Sequence, residues 1–382
     1  MGVTVGNLLQ IDILKNASVI AGAGGMDRQV RRVSFSDVPL DEWKDPICFE
    51  PGDVFIRSFF ADKDREERIC EAISFYIQVN SACCITYRRF LPRFPEKAIA
   101  LANEHNYPII VLDEIIPYAD LIRMITEYIL ISQHEWLIEN SLSLLLHHSP
   151  SAEKVSELYR KLVPAAYENF LVIYASLGAC SLAQLRSLAD TLATQFPTTF
   201  LRYSKDCFIV LSCPTSKNTA VTLQQIDSVL AAYAPDHVAG ISDPCKEADF
   251  PKGLHQALDA HEVGKVTDSR ITYYNELSVY KLLMPLCRKH GEELASLYAE
   301  VISPLKAYEE SNSVNLLETV ATYIECDGNI KEAASILHQH ENTVRFRVGK
   351  ARELLNLSHN HCAFIELVSI ALRIGKLLSR DS

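Results

Sequence analysis

Between residues 316 and 355 the chain sets apolar stripes at helical spacing around two abrupt breaks, and no other stretch limits the fold so tightly. Leu316, Leu317, Val320 and Ile324 share one face of a first helix that stops at Gly328, a residue suited to the left-handed position beyond a helix end. Asn329 then caps a second helix, and Glu332 stands where a capping box needs it. Ile330, Ala333, Ala334 and Leu337 form its buried stripe, the small alanines admitting a neighbouring helix at close range. After the turn "HQHE" a third helix is expected from near Asn342.

With Val344 at zero and about 100° per residue, Val348, Ala351 and Leu355 lie within about 40° of it, a tight apolar stripe. Arg345 and Arg352 fall at about 100° and 80°, Lys350 and Arg347 at about 240° and 300°, so both rims of the outer face are cationic. Asn342 and Phe346 point outward between them. Such rims ordinarily do no more than solvate a helix. The capped, alanine-bearing helix before this one and the turn of three to four residues between them give the helix-turn-helix spacing, whose second helix enters the DNA major groove. A helix about 10–12 Å across fits that groove with phosphates on either side. Asn342, Thr343, Arg345 and Phe346 are then candidates for base edges and thymine methyls, and Arg345, Arg347, Lys350 and Arg352 for phosphates.

Composition sharpens that reading. The net charge is −11, so the surface as a whole repels nucleic acid and anionic membranes, and a polyanion must meet a local patch. From Asn312 onward 8 basic residues balance 8 acidic ones, leaving the whole acidic excess to residues 1–311. Eleven cysteines, without a C-x-x-C pair or framework spacing, fit reduced cytosolic thiols, and Cys83 and Cys84 in the apolar run "SACCITY" read as core packing. The opening "MGVTVGNLLQ" lacks the features of a secretory signal, and no apolar run approaches the roughly 20 residues of a membrane helix. A cytoplasmic protein without membrane contact is expected.

At 382 residues the chain exceeds one ordinary core. The expected fold is a multidomain α/β plus all-α chain. Residues 1–117 alternate strand candidates ("ASVIAG", "VRRVSFSDV", "DVFIRSF", "ACCITY", "PIIVLD") with amphipathic helices, the pattern of an α/β domain. "GAGG" at 22–25 reads as a hairpin turn, because the third glycine of a dinucleotide fingerprint is replaced by Asp27 and a strand follows where a helix is needed. Residues 118–165 read as linker helices. The first of them, a long apolar-striped helix to about His148, is either packed on a domain or one arm of a homodimer coiled coil, the dimer being slightly favoured. Residues 166–276 run β-α-β-β-α-β, the order of a ferredoxin-like unit. Residues 277–382 read as helical, with the helix-turn-helix at about 312–382.

The stretch "NIKEAASILHQHENTVRFRVGKARELLNL" resembles the Fis-like helix-turn-helix that closes PucR-type regulators, a family named for purine catabolism. The resemblance falls on Ala334, Leu337, His340, Asn342, Thr343 and Arg347, and extends to "VRRVSFSDVP" and "GDVFIRS" near the N-terminus. It implies an N-terminal PucR-type sensor domain for a small-molecule effector, a degenerate GGDEF-like middle domain serving as scaffold, and a C-terminal domain for double-stranded operator DNA. The middle stretch "RYSKDCFIVL" is similar to the diguanylate cyclase hairpin R-Y-G-G-D-E-F. Ser204 and Lys205 replace its glycines and Cys207 its glutamate, while Asp206 and Phe208 persist. Loss of close backbone approach and of one carboxylate removes metal-assisted phosphoryl chemistry, so no enzyme and no cofactor are expected. The rival expectation is a metabolite- or nucleotide-binding sensor that does not bind DNA.

Two weaker features complete the reading. Ligands of open α/β sheets bind beyond the carboxyl ends of strands, which makes Arg57 and Ser58 candidates for an anionic or amide-bearing effector. A surface ion pair explains Arg57 equally well. His338, His340, His359 and His361 flank the recognition helix; turn and phosphate roles are favoured over a metal site, and none is assigned.

Overall fold

The structure, a computed structural model, describes residues 2–36, 49–178, 180–213 and 219–379, and the chain divides into two compact units, Met1–Asn140 and Ser141–Ser382. The part of the strand candidate "VRRVSFSDV" beyond Ser36 lies outside the described residues.

In the first unit a short helix α1 (Val5–Leu8), capped by Thr4, precedes β1 (Ser18–Ala21), β2 (Arg32–Phe35) and β3 (Asp53–Ile56). Then follow α2 (Glu66–Gln78), β4 (Cys83–Tyr87), α3 (Glu96–Glu104), β5 (Ile109–Leu112) and the 30-residue α4 (Tyr118–His147). The sheet order is β1-β5-β4-β3-β2, with β2 to β5 parallel and β1 antiparallel on the edge. β3, β4 and β5 are buried at every position, the burial that a parallel sheet covered on both faces imposes and that makes its strands unbroken apolar runs. Alternate residues serve opposite faces. Val54, Ile56, Cys83, Ile85 and Ile110 pack with Leu121, Ile125 and Ile129 of α4. Phe55, Cys84 and Ile109 pack with Ile69, Ile73 and Tyr76 of α2 and Ala98 and Ala102 of α3. Cys83 and Cys84 are fully enclosed, and burial pushes the Cys83 thiol far above its ordinary range, as a packing role requires.

The "GAGG" stretch is a turn but not that of a hairpin, because β1 and β2 occupy opposite edges of the sheet. Its glycines serve close approach instead. A Cβ on Gly22, which sits at φ +67°, would fall 2.0 Å from the Tyr107 carbonyl oxygen, and one on Gly25 2.0 Å from that of Asn106.

The second unit opens with the end of α4, where Leu142, Leu145 and Leu146 are buried, and continues into α5 (Ala152–Leu162). Next come β6 (Phe170–Ser176), α6 (Leu182–Gln195), β7 (Thr198–Tyr203), β8 (Asp206–Ser212), α7 (Thr219–Tyr233), β9 (Val238–Ile241), α8 (Phe250–Val266) and β10 (Ile271–Tyr273). The sheet order is β10-β9-β6-β8-β7; β6 runs antiparallel to β8 and β9, and β10 is added parallel to β9. Helices α9 (Tyr280–Lys289), α10 (Gly291–Asn312), α11 (Leu316–Glu325), α12 (Ile330–Ile336), α13 (Glu341–Leu354) and α14 (His361–Leu378) complete the chain. One core joins α8 to the helices: Ala260 and Val263 pack with Leu283 and Met284 of α9 and with Ile374 and Leu377 of α14. Arg288 of α9 also pairs with the buried Asp259 of α8.

Candidate nucleic-acid interface

Helices α11 to α14 build one core, in which Val320, Tyr323, Ala333, Ala334, Phe364 and Val368 enclose the inner face of α13. Local chemistry fixes the corners. α11 ends with Asp327 at φ +51° and Gly328 at φ +80°, and the Gly328 N–H donates to the Tyr323 carbonyl at 2.9 Å. Asn329 Oδ1 accepts from the N–H groups of Lys331 and Glu332 at 3.1 and 3.3 Å, capping α12. The capping box is altered: Glu332 accepts from the Asn329 side-chain amide at 3.3 Å, because the Asn329 backbone N–H is already given to the Cys326 carbonyl at 2.8 Å. His338 takes φ +50° to turn the chain, and His340 Nδ1 accepts from the Asn342 N–H at 3.1 Å, capping α13. Two of the four flanking histidines thus shape the turn. Among the described residues no group of three or more His, Cys, Asp or Glu is arranged to hold a metal ion.

Of the expected stripe, Val344 and Ala351 are buried completely and Val348 to 5% exposure, while Leu355, just past the end of α13, is half-buried. Asn342, Arg345 and Phe346 face solvent, Phe346 at 67% exposure, and Thr343 is half-buried. Arg345 lies over the surface, donating to Asn342 Oδ1 at 3.2 Å. The other cations are drawn inward. Arg347 donates from Nη1 to Thr319 Oγ1 of α11 at 3.0 Å and to the Asn315 carbonyl at 3.5 Å. Lys350 pairs with Glu353 at 3.0 Å and lies 5.4 Å from the centre of the Tyr308 ring on α10. Arg352 donates to the Ser358 carbonyl past the end of its own helix. The side at about 240° to 300° on the helical wheel therefore borders α10 and α11, which a wheel drawn for one helix does not contain. Sequence reasoning passed over Ile336, which is 58% exposed at the end of α12. The signal was present, since Ile336 lies about 110° from the middle of that helix's buried stripe.

In the first unit, Arg57 at the end of β3 is 4% exposed and its Nη2 meets Asp62 Oδ2 at 2.7 Å. Ser36 Oγ and Tyr76 Oη lie 3.5 Å from its other terminal nitrogen, and the Phe59 ring is 5.1 Å away. Ser58 is half-buried and its Oγ accepts from the Phe60 N–H at 3.2 Å. Asp62, five positions on from Arg57, was not singled out from the sequence. In the second unit the Asp206 carboxylate accepts from the Tyr174 hydroxyl at 2.9 Å and from the Leu177 N–H at 3.3 Å, while Cys207 is fully buried. The aspartate that a cyclase would turn toward metal is here a tie between strands.

A capped pair of helices at a sharp corner, with the second presenting an outward polar face, defines a helix-turn-helix module. The chain carries two PucR domains: residues 7–129 match the purine catabolism regulatory protein-like family, and residues 316–374 match the PucR C-terminal helix-turn-helix domain. Over 161 residues it is 31% identical to the purine catabolism regulatory protein of Bacillus subtilis strain 168, a match spanning 41% of this chain and 30% of that protein. Over 102 residues it is 28% identical to the DNA-binding transcriptional activator AdeR of the same organism, spanning 26% of this chain and 24% of that one. The chain thus matches less than a third of the length of either relative. A crystal structure of a regulator of polyketide synthase expression from Bifidobacterium adolescentis aligns with 63% of this chain and 99% of its own, at 16% identity and a TM-score of 0.28. Among the described residues no helix is long and apolar enough to cross a membrane.

Proposed function

We propose that this chain is a cytoplasmic, sequence-specific transcription regulator that binds double-stranded operator DNA as a homodimer under the control of a small-molecule effector. The observation that carries this reading is the α13 surface, with Asn342, Arg345 and Phe346 facing outward from a helix whose opposite face is packed through Val344, Val348 and Ala351. Asn342, Thr343, Arg345 and Phe346 read base edges, with Arg345 also near phosphate, and Lys350 and Arg352 flank the groove. Arg347 acts chiefly by holding α13 against α11.

Residues 1–117 serve as sensor, with the neighbourhood of Arg57 and Ser58 at the strand ends as effector region. Arg57 takes part once it exchanges Asp62 for the ligand. The region of residues 166–276 is a non-catalytic, GGDEF-like scaffold, supported by the strand order β9-β6-β8-β7 and by the Asp206 tie. The exposed Leu130, Trp136 and Leu137 of α4 support its use in dimerisation. Two recognition helices must then reach major grooves about 34 Å apart, and an effector that alters this spacing alters affinity.

The test is fluorescence anisotropy with the full chain and duplexes from upstream of its own and neighbouring genes. The expected result is binding to one duplex at least about 10³-fold tighter than to random DNA. Equal affinity for every duplex overturns the reading.

A further inference from the structure

We propose that Gly349 floors a notch on α13 that seats the C5-methyl group of a thymine, with the Phe346 ring as its wall. The proposal rests on the DNA-binding reading above and names the base feature that this part of the surface recognises. Gly349 is the ninth of the 14 residues of α13, well inside the helix, and it is exposed. With Val344 at zero it falls at about 140°, between Arg345 at about 100° and Phe346 at about 200°, in the middle of the outward face. A glycine weakens a helix interior relative to alanine, because its backbone gives up more freedom on folding, and its common use there is close approach to a neighbour. Elsewhere in this chain that use is visible. A Cβ on Gly253 or Gly264 of α8 would lie 2.8 Å from Cys245 Sγ or 2.7 Å from Thr272 Oγ1, and one on Gly375 of α14 would lie 2.5 Å from the Tyr298 ring. A Cβ on Gly349 would meet nothing within 4 Å among the described residues. The neighbour that its bare backbone admits is therefore one outside the chain.

The residues around the notch set its chemistry. Side chains three and four positions away share a helix surface, which places Arg345, Phe346, Arg352 and Glu353 about it. Arg345 reaches away toward Asn342, and Arg352 toward the Ser358 carbonyl. Phe346, 67% exposed, is left as an apolar wall beside a bare Cα. An apolar wall over a bare floor suits a methyl group and offers a hydrogen-bonding base edge no partner at that point. In the major groove the apolar feature of the bases is the C5-methyl of thymine. Glu353, one turn further along the same face, carries an exposed carboxylate that phosphates repel. The outward face therefore comes closest to the duplex ahead of Glu353, at Gly349.

The test is fluorescence anisotropy of the full chain with its preferred duplex, each thymine being replaced in turn by deoxyuridine, which lacks only the methyl group. One position in a half-site should lose about fourfold in affinity, the worth of one buried methyl. Gly349→Ala fills the notch and should bind the thymine duplex about tenfold more weakly, the effect of overpacking a fitted contact. At the responding position the variant should no longer distinguish thymine from deoxyuridine, while differences at other positions persist. Its melting temperature should equal or exceed the parent's, since alanine is the better helix former, so the loss of affinity cannot come from misfolding. The proposal is overturned if Gly349→Ala binds as tightly as the parent, if it keeps the full thymine preference at every position, or if no thymine of the parent's duplex responds. A parent that prefers no duplex overturns the DNA-binding reading and this proposal with it, whereas a preferred duplex indifferent to Gly349→Ala overturns this proposal alone.

Discussion

Arg57 and Arg345 were both marked by the sequence as ligand contacts, and the structure treats them oppositely. Arg57 follows a buried strand, and the loop after it folds back to set Asp62 against the guanidinium, leaving 5% and 8% of the two side chains exposed. Arg345 stands on a helix that fixes the direction of each side chain by its period, and the apolar face of that helix is already full. Nothing folds over its other side among the described residues except Asn342 from the same helix. A cation at a strand end is therefore open to capture by its own loop, whereas a helix with a filled inner face leaves its outer cations for a partner.

The largest expected effect tests the enclosed arginine. Asp62→Ala leaves a buried guanidinium without its carboxylate and should cost about 3–5 kcal/mol, read from chemical denaturation curves of the full chain. Replacing both partners with apolar residues, Arg57→Met with Asp62→Leu, should recover most of that loss. A stable Asp62→Ala protein would mean that Arg57 is not committed to the fold and would return it to the ligand-contact class. Next in size is the open arginine. Arg345→Ala and Asn342→Ala should each lower operator affinity by about 1–3 kcal/mol and narrow the margin over random DNA, with unfolding curves unchanged. If either variant lost affinity equally on all sequences, its role would be positioning on the backbone instead of base readout.

The contrast also marks what could be read in advance. Period and caps placed α12 and α13 and the buried trio Val344, Val348 and Ala351, because those depend on spacing along one helix. The ties of Arg347 to Thr319 and of Lys350 to Tyr308 depend on which helices lie alongside, and residues 28 and 42 positions away in sequence carry no local signal of that. The strands of the first sheet were legible as apolar runs, but their order was not: "GAGG" looked like a hairpin because strand candidates flank it, whereas its glycines answer to a segment near Asn106 and Tyr107. The capture of Arg57 had a faint trace in the acidic residue five positions on, but a strand-end rule that ignores loop folding gives it no weight.

Arg347 falls between the two arginines and divides the cationic rim. Arg347→Ala should destabilise the chain by about 1 kcal/mol, the net worth of a hydrogen bond to a neutral acceptor. Its effect on the salt dependence of operator binding should be slight. If all four cations of each subunit met phosphate, a dimer would show a slope of log affinity against log salt of about −7; with Arg345, Lys350 and Arg352 alone it would be about −5.

The smallest change in stability comes from Lys350. Its contact with Glu353 is a surface pair, with 66% of the glutamate side chain and 25% of the lysine exposed, and the Tyr308 ring adds a weak cation–π contact, so Lys350→Ala should alter the unfolding free energy by about 0.5 kcal/mol. Removing it from both subunits should nevertheless flatten the salt slope by about 2, because the ammonium can leave Glu353 and the face of Tyr308 for a phosphate without giving up a hydrogen bond between helices, whereas Arg347 would have to abandon Thr319 and loosen α13 from α11. Measuring both single variants across a salt series separates the two cases. A slope that responds to Arg347→Ala and ignores Lys350→Ala would show that attachment to a neighbouring helix does not withhold a cation from DNA, and the contrast drawn between enclosed and open arginines would then hold for buried strand ends alone.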